Sequence, residues 1–77
     1  MKSEYISFGE LARKTDLRYG TLKYYTESNL IPFEQLDENL TRLYPREAAV
    51  ERVEIIKSLK KSGLSIAEIR KKIAKQS

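Results

Sequence analysis

Apolar and polar positions along this chain follow helical spacing in four stretches, with one stretch of alternation between them. Ser7-Phe8-Gly9-Glu10 has the spacing of a capping box, in which Ser7 accepts from the amide three residues on and Glu10 reaches back. Ile6 before it and Leu11 after it are placed as a hydrophobic staple, so a helix is predicted from here to about Lys14, where Thr15-Asp16 interrupts it. From Arg18 to Ser28 there is no proline, and Leu22, Tyr25 and Leu30 are spaced for a second helix and its exit into a core. Two short helices across so short a turn form a helix-turn-helix, expected over about 7–30. Asn29 suits a left-handed cap, and Pro32 blocks continuation. Phe33 to Leu36 and Leu40 to Tyr44 then alternate around Asp37-Glu38-Asn39, which predicts a hairpin within 31–44.

Pro45 suits the first turn of a long helix, over about 45–62, with Ala49, Val50, Val53, Ile56 and Leu59 along one stripe. Gly63 is placed to end it. Ser65-Ile66-Ala67-Glu68 is a second capping box, with Leu64 and Ile69 as its staple, and opens a last helix over about 65–75. The fold expected is mostly α, about four helices with one small β-hairpin. There are no internal repeats and no low-complexity segments, so residues 1–77 read as one small domain.

Composition narrows the chemistry. The chain has no His, no Cys and no Trp, which excludes a Cys/His zinc site, a disulfide, a thiolate nucleophile and a Ser-His-Asp triad. No enzyme activity, metal or other cofactor is expected. Glu47, Glu51 and Glu54 alternate with Arg46 and Arg52, and read as a charged helix face rather than an acid/base pair. With 40% apolar and 34% charged residues the chain suits a soluble globular domain. No run approaches the roughly 20 apolar residues of a membrane span, and the N-terminus lacks the apolar core of a signal peptide, so a cytoplasmic location without membrane contact is expected.

The net charge of +4 is unevenly spread. Residues 1–23 carry five cations against three acids, residues 24–54 three against seven, and residues 55–77 seven against one. Basic ends can meet a polyanion if the fold brings them to one side, because neutralising phosphates releases counterions. Taken alone, the Lys-rich last helix reads better as a solvated face, and so do Lys57, Lys60 and Lys61.

Five fragments in order, Ile6-Ser7-Phe8-Gly9-Glu10-Leu11-Ala12, Thr21-Leu22-Lys23-Tyr24-Tyr25, Leu30-Ile31-Pro32, Arg42-Leu43-Tyr44 and Gly63-Leu64-Ser65-Ile66-Ala67-Glu68-Ile69, resemble the DNA-binding domain of MerR-family regulators. The resemblance covers about residues 5–74 and implies a winged helix-turn-helix, with the second helix in the major groove and the hairpin as a wing on the flanking backbone. There are departures. Where the family commonly has Gly-Val-Ser-Val-Arg-Thr, this chain has Asp16-Leu17-Arg18-Tyr19-Gly20-Thr21, so the capping Ser is replaced by Arg18 and a frequent Arg by Gly20. Pro45 looks like one extra residue before the long helix. The sequence stops where the family's long dimerising helix would begin, and no small-molecule effector site is expected within these 77 residues.

On a helical wheel Leu22 and Tyr25 point inward together, while Gly20, Lys23, Tyr24 and Glu27 point outward. Arg18, Tyr19 and Thr21 are the candidate base contacts: arginine can bond guanine bidentately, and tyrosine or threonine can touch a thymine methyl. For Tyr19 a partly buried edge position is the competing reading. The resemblance implies phosphate contacts for Lys23 and Tyr24, and a phosphate or minor-groove contact for the wing residue Arg42. Arg13 and Lys14, at the end of the first helix, are further backbone candidates that also suit a helix C-terminus. Tyr44 is expected to pack the wing onto the helices.

The function expected is sequence-specific binding of double-stranded DNA as the DNA-binding domain of a transcriptional regulator, as a homodimer or a head-to-tail array. A standalone architectural DNA binder, excisionase-like or part of a segregation complex, is the alternative. A protein-interaction module docking through Ile66, Ile69 and Ile73 is the reading from another class, although those isoleucines are more simply core.

Overall fold

The computed structural model describes residues 4–35 and 42–76. In chain order the elements are β1 (Tyr5–Ile6), α1 (Phe8–Thr15), α2 (Tyr19–Glu27), β2 (Glu34–Gln35), β3 (Arg42–Pro45), α3 (Arg46–Lys61) and α4 (Ile66–Gln76). The expected four helices and hairpin strands are present; the hairpin's turn, with Leu36, Leu40 and Thr41, lies outside the described residues.

Three helices end in the same way, for a local reason. Asp16 and Asn29 take left-handed φ of 58° and 61°, and Gly63 takes 96°. Each of these donates its N–H to the carbonyl three residues back, on Arg13, Thr26 and Lys60. The next residue, Leu17, Leu30 or Leu64, donates to the carbonyl five back, on Ala12, Tyr25 and Leu59. This double bond pattern satisfies otherwise orphaned carbonyls and turns an apolar residue back toward the core. At Asp16 the same device makes the turn between α1 and α2.

The helix starts differ. At α1 the Glu10 N–H donates to Ser7 Oγ at 3.2 Å, and at α4 both halves of the Ser65 box form: Glu68 N–H to Ser65 Oγ at 3.2 Å and Ser65 N–H to Glu68 Oε1 at 2.9 Å. The bond from the Ser65 amide, followed by that of the Ser65 side chain, holds the Glu68 carboxyl below its ordinary pKa. A depressed carboxylate pKa adds stability that is complete above the unfolded value and lost as pH falls through the folded one. The acid limb of a stability–pH curve is therefore expected to be shallower in Glu68→Gln, measured by urea unfolding across the acid range. An identical limb would mean the box contributes nothing.

One expectation is revised by long-range pairing. Pro45 is not in the first turn of the long helix: it caps α3 in extended geometry, with φ −61° and ψ 120°, and is the last residue of β3. Its place is set by β1, a strand the sequence reading lacked, which pairs antiparallel with β3 through Tyr5↔Pro45 and Ile6↔Tyr44. The Arg46 N–H donates to the Glu4 carbonyl at 2.8 Å and continues that ladder into the helix. On its other side β3 pairs with β2 through Glu34↔Leu43 and Gln35↔Arg42, so the sheet order is β1-β3-β2.

The core joins Ile6, Leu11, Leu22, Leu30, Tyr44, Val53, Ile56 and Ile69, so every helix and the hairpin contribute to it. Tyr44 is fully buried, as expected, and its hydroxyl lies 3.0 Å from Thr26 Oγ1 on α2. Lys57 departs from the solvated face expected of it: its Nζ donates to the Thr15 carbonyl at the end of α1. Arg52 Nη1 likewise donates to the Leu30 carbonyl, at 3.1 Å, just past the end of α2. Lys57 meets the negative end of the α1 dipole, and together the two cations tie the helix-turn-helix to α3.

Candidate nucleic-acid interface

The second helix is fixed on one side and bare on the other. Leu22, Tyr25 and Thr26 are buried, and Thr26 Oγ1 also donates to the Leu22 carbonyl at 2.9 Å. Burial pushes the Tyr25 hydroxyl pKa up, with a smaller contribution from Tyr24. Arg18, Tyr19, Gly20, Lys23, Tyr24 and Glu27 are exposed, and Thr21 is half-buried. The wheel's inward pair, Leu22 and Tyr25, and its outward set, Gly20, Lys23, Tyr24 and Glu27, lie as expected, and Thr26 joins the buried side. Tyr19 is 70% exposed and Tyr24 52%, the large apolar side chains most open to solvent among the described residues.

The start of α2 carries the departure read from sequence. Arg18 occupies the N-cap position with φ −72° and ψ 152°, and its side chain makes no capping hydrogen bond among the described residues. Gly20 follows in the first turn, and a Cβ built there meets nothing within 4 Å. Gly20→Ala is therefore expected to stabilise the domain by about 0.5–1 kcal/mol, by lowering the entropy of the unfolded chain. A chemical-denaturation midpoint tests this, and a fall in the midpoint would contradict it.

A groove of about 430 Å³ lies along this helix, lined by Arg18, Gly20, Thr21, Tyr24, Tyr25, Lys60 and Ile66. Three of the predicted contact residues, Arg18, Thr21 and Tyr24, are thus brought together. Lys60, at the end of α3, joins them, although its spacing along the sequence marks only the polar side of a long helix. Lys14 lies elsewhere, in a hollow of about 590 Å³ with Arg46, Glu47, Val50 and Glu51. Arg13 is exposed and folds back along α1, its Nη1 4.0 Å from where a Cβ on Gly9 would stand.

The wing is anchored at its base. Arg42 is half-buried with its guanidinium carbon 5.0 Å from the centroid of the Phe33 ring, a cation–π distance. Its Nε is buried with no hydrogen-bond partner among the described residues. Phe33 in turn packs 6.2 Å from Tyr44. Tyr5 on β1 donates its hydroxyl to Glu34 Oε2 on β2 at 2.8 Å, across the intervening strand, and this bond raises the Tyr5 pKa, with the Glu34 charge adding to it.

Two helices joined by a tight left-handed turn, the second showing cations and tyrosines on its outer side beside a braced β-hairpin, define a winged helix-turn-helix, a DNA-binding class. The chain belongs to the MerR HTH family of regulatory proteins, whose sequence profile matches residues 6–76. It is a DNA-binding domain of the kind that transcription regulators carry. It is 38% identical over 63 residues to the nodulation protein NolA of Bradyrhizobium elkanii, a match covering 82% of this chain and 28% of that protein. Against the nodulation protein NolA of Bradyrhizobium diazoefficiens the identity is also 38% over 63 residues, covering 82% of this chain and 26% of the relative. The matched segment thus spans little more than a quarter of these relatives.

Proposed function

We propose that residues 1–77 act as one unit that binds duplex DNA sequence-specifically in the cytoplasm, within a transcriptional regulator. The N-terminal half of α2 enters the major groove, with Arg18, Tyr19 and Thr21 toward base edges. Lys23, Tyr24 and Lys60 meet phosphates, with Arg42 reaching the backbone from the wing. Phosphate contacts set orientation, and base contacts select sequence. The observation that carries this reading is the two-sided character of α2: its inner side is buried against Tyr44 and the core, and its outer side presents Lys23, Glu27 and two open tyrosines, with Arg18 exposed at its N-cap.

Selection of bound duplexes from a random pool tests it, with a recovered site as the expected result and no enrichment as the contradiction. The symmetry of that site reads the assembly: a palindrome for a homodimer, direct repeats for an array. On the selected duplex, Arg18→Ala is expected to weaken binding by about 1–3 kcal/mol and relax sequence preference, whereas Lys23→Ala weakens selected and random duplexes alike. Equal loss from Arg18→Ala on every sequence would remove its base-reading role.

A further inference from the structure

We propose that Tyr19 and Phe8 together form a reader of the thymine 5-methyl group, Tyr19 touching the methyl and Phe8 acting as the positioning residue that sets the Tyr19 ring. The inference rests on the DNA-binding reading above. It starts from a contact between two first turns: the rings of Phe8, the first residue of α1, and Tyr19, the first of α2, have centroids 4.5 Å apart at 55°.

An aromatic side chain as open as Tyr19 ordinarily moves among rotamers in water, and ordering it on binding costs entropy. Here it has a backing. Phe8 is partly buried and packs against the core, with its ring 6.2 Å from Tyr44 in an edge arrangement. Tyr44 is fully buried and meets Thr26 of α2 through its hydroxyl. The exposed ring of α2 is thus braced through α1 and the wing to the inner side of its own helix. The rest of the ring faces solvent, and next to it Gly20 carries no side chain.

Such a fixed ring with an open approach suits an apolar target. In the major groove the C5-methyl of thymine is the apolar group a base pair presents, and contact with it separates thymine from the other bases. A methyl buried against the ring corresponds to about four-fold in affinity, from ~0.8 kcal/mol per buried carbon group.

The test replaces each thymine of the selected duplex in turn by deoxyuridine, which removes the methyl and leaves base pairing unchanged. The wild-type domain is expected to lose about four-fold in affinity at one thymine. Tyr19→Phe keeps that ratio, because the hydroxyl is not used, and Tyr19→Ala brings it to about one. Phe8→Leu keeps an apolar contact with Tyr44 but removes the ring behind Tyr19. It is expected to bring the ratio below about two-fold, with an unchanged circular dichroism spectrum as the sign of an intact fold.

Retention of the four-fold ratio in Phe8→Leu overturns the positioning role, and retention in Tyr19→Ala overturns the reader. Tyr19→Ala perturbs little packing, so the test stands even where Phe8→Leu fails to fold. Full wild-type affinity for a duplex in which every thymine is replaced overturns the inference and leaves the DNA-binding reading in place. Absence of salt-sensitive binding to any duplex overturns both.

Discussion

Replacing Tyr44 by alanine is expected to remove about 3–5 kcal/mol of folding stability, the cost typical of truncating a fully buried aromatic ring. No part of the fold escapes the loss. The ring sits between Phe8 of α1 and Phe33 at the base of the wing, both 6.2 Å away, and its backbone pairs with Ile6 of β1. At 0.05–0.15 kcal/mol per residue, a chain of this size holds on the order of 4–12 kcal/mol in total. Much of the stability would then go, with the wing and α2 unfolding together in urea followed by circular dichroism. Tyr44→Phe retains the ring contacts and loses the meeting with Thr26 Oγ1, so about 1 kcal/mol is expected. An alanine variant as stable as the phenylalanine one would show that the ring does not hold these elements together.

The second large effect is expected on affinity. Removing both Lys23 and Lys60 by alanine substitution takes one cation from the outer side of α2 and one from the end of α3 beside it. Each phosphate contact contributes about 0.9 to the slope of log affinity against log salt. The pair should therefore lower that slope by about 1.8, and at 0.1 M salt weaken binding by roughly 60-fold. Selected and random duplexes should lose equally, since neither lysine is assigned to a base. Fluorescence anisotropy over a salt series reads both quantities. A slope unchanged in the double variant would place Lys60 back on a merely solvated face.

Whatever is decided within a few residues was legible in the sequence. Asn29 and Gly63 can take positive φ at little cost, so the ends of α2 and α3 could be read from residue type alone. The Ser65-x-x-Glu68 spacing marked α4 for the same reason, and both bonds of that box form. What was missed lies far apart along the chain. β1 has two residues, too few to show a period, and its partner is β3, about 40 positions away. Once that pairing forms, Pro45 belongs to the sheet and the helix begins at Arg46.

The same distance explains the lysines. Nothing around Lys57 announces that the C-terminus of α1 will pack against it, yet Thr15 supplies its acceptor from 42 residues away. Lys60, one turn further on, is carried by the same packing into the groove beside Arg18 and Tyr24. The outer side of α2 was legible because one helix defines it; the groove beside it was not, because α3 and α4 supply its other wall. Tyr19 shows both limits. The sequence offered it both as groove-facing and as a partly buried edge residue, and it is 70% exposed; its contact with Phe8 depends on how sharply Asp16 and Leu17 turn the chain.

The claim at the centre is that α2 reads bases from the major groove. It is tested most directly by comparing affinities for the selected duplex and a scrambled duplex of the same composition, in one salt series. The selected duplex should bind at least about 10³-fold more tightly near physiological salt, with both affinities falling steeply as salt rises. Equal affinities across the series, or affinities that salt leaves unchanged, would contradict it.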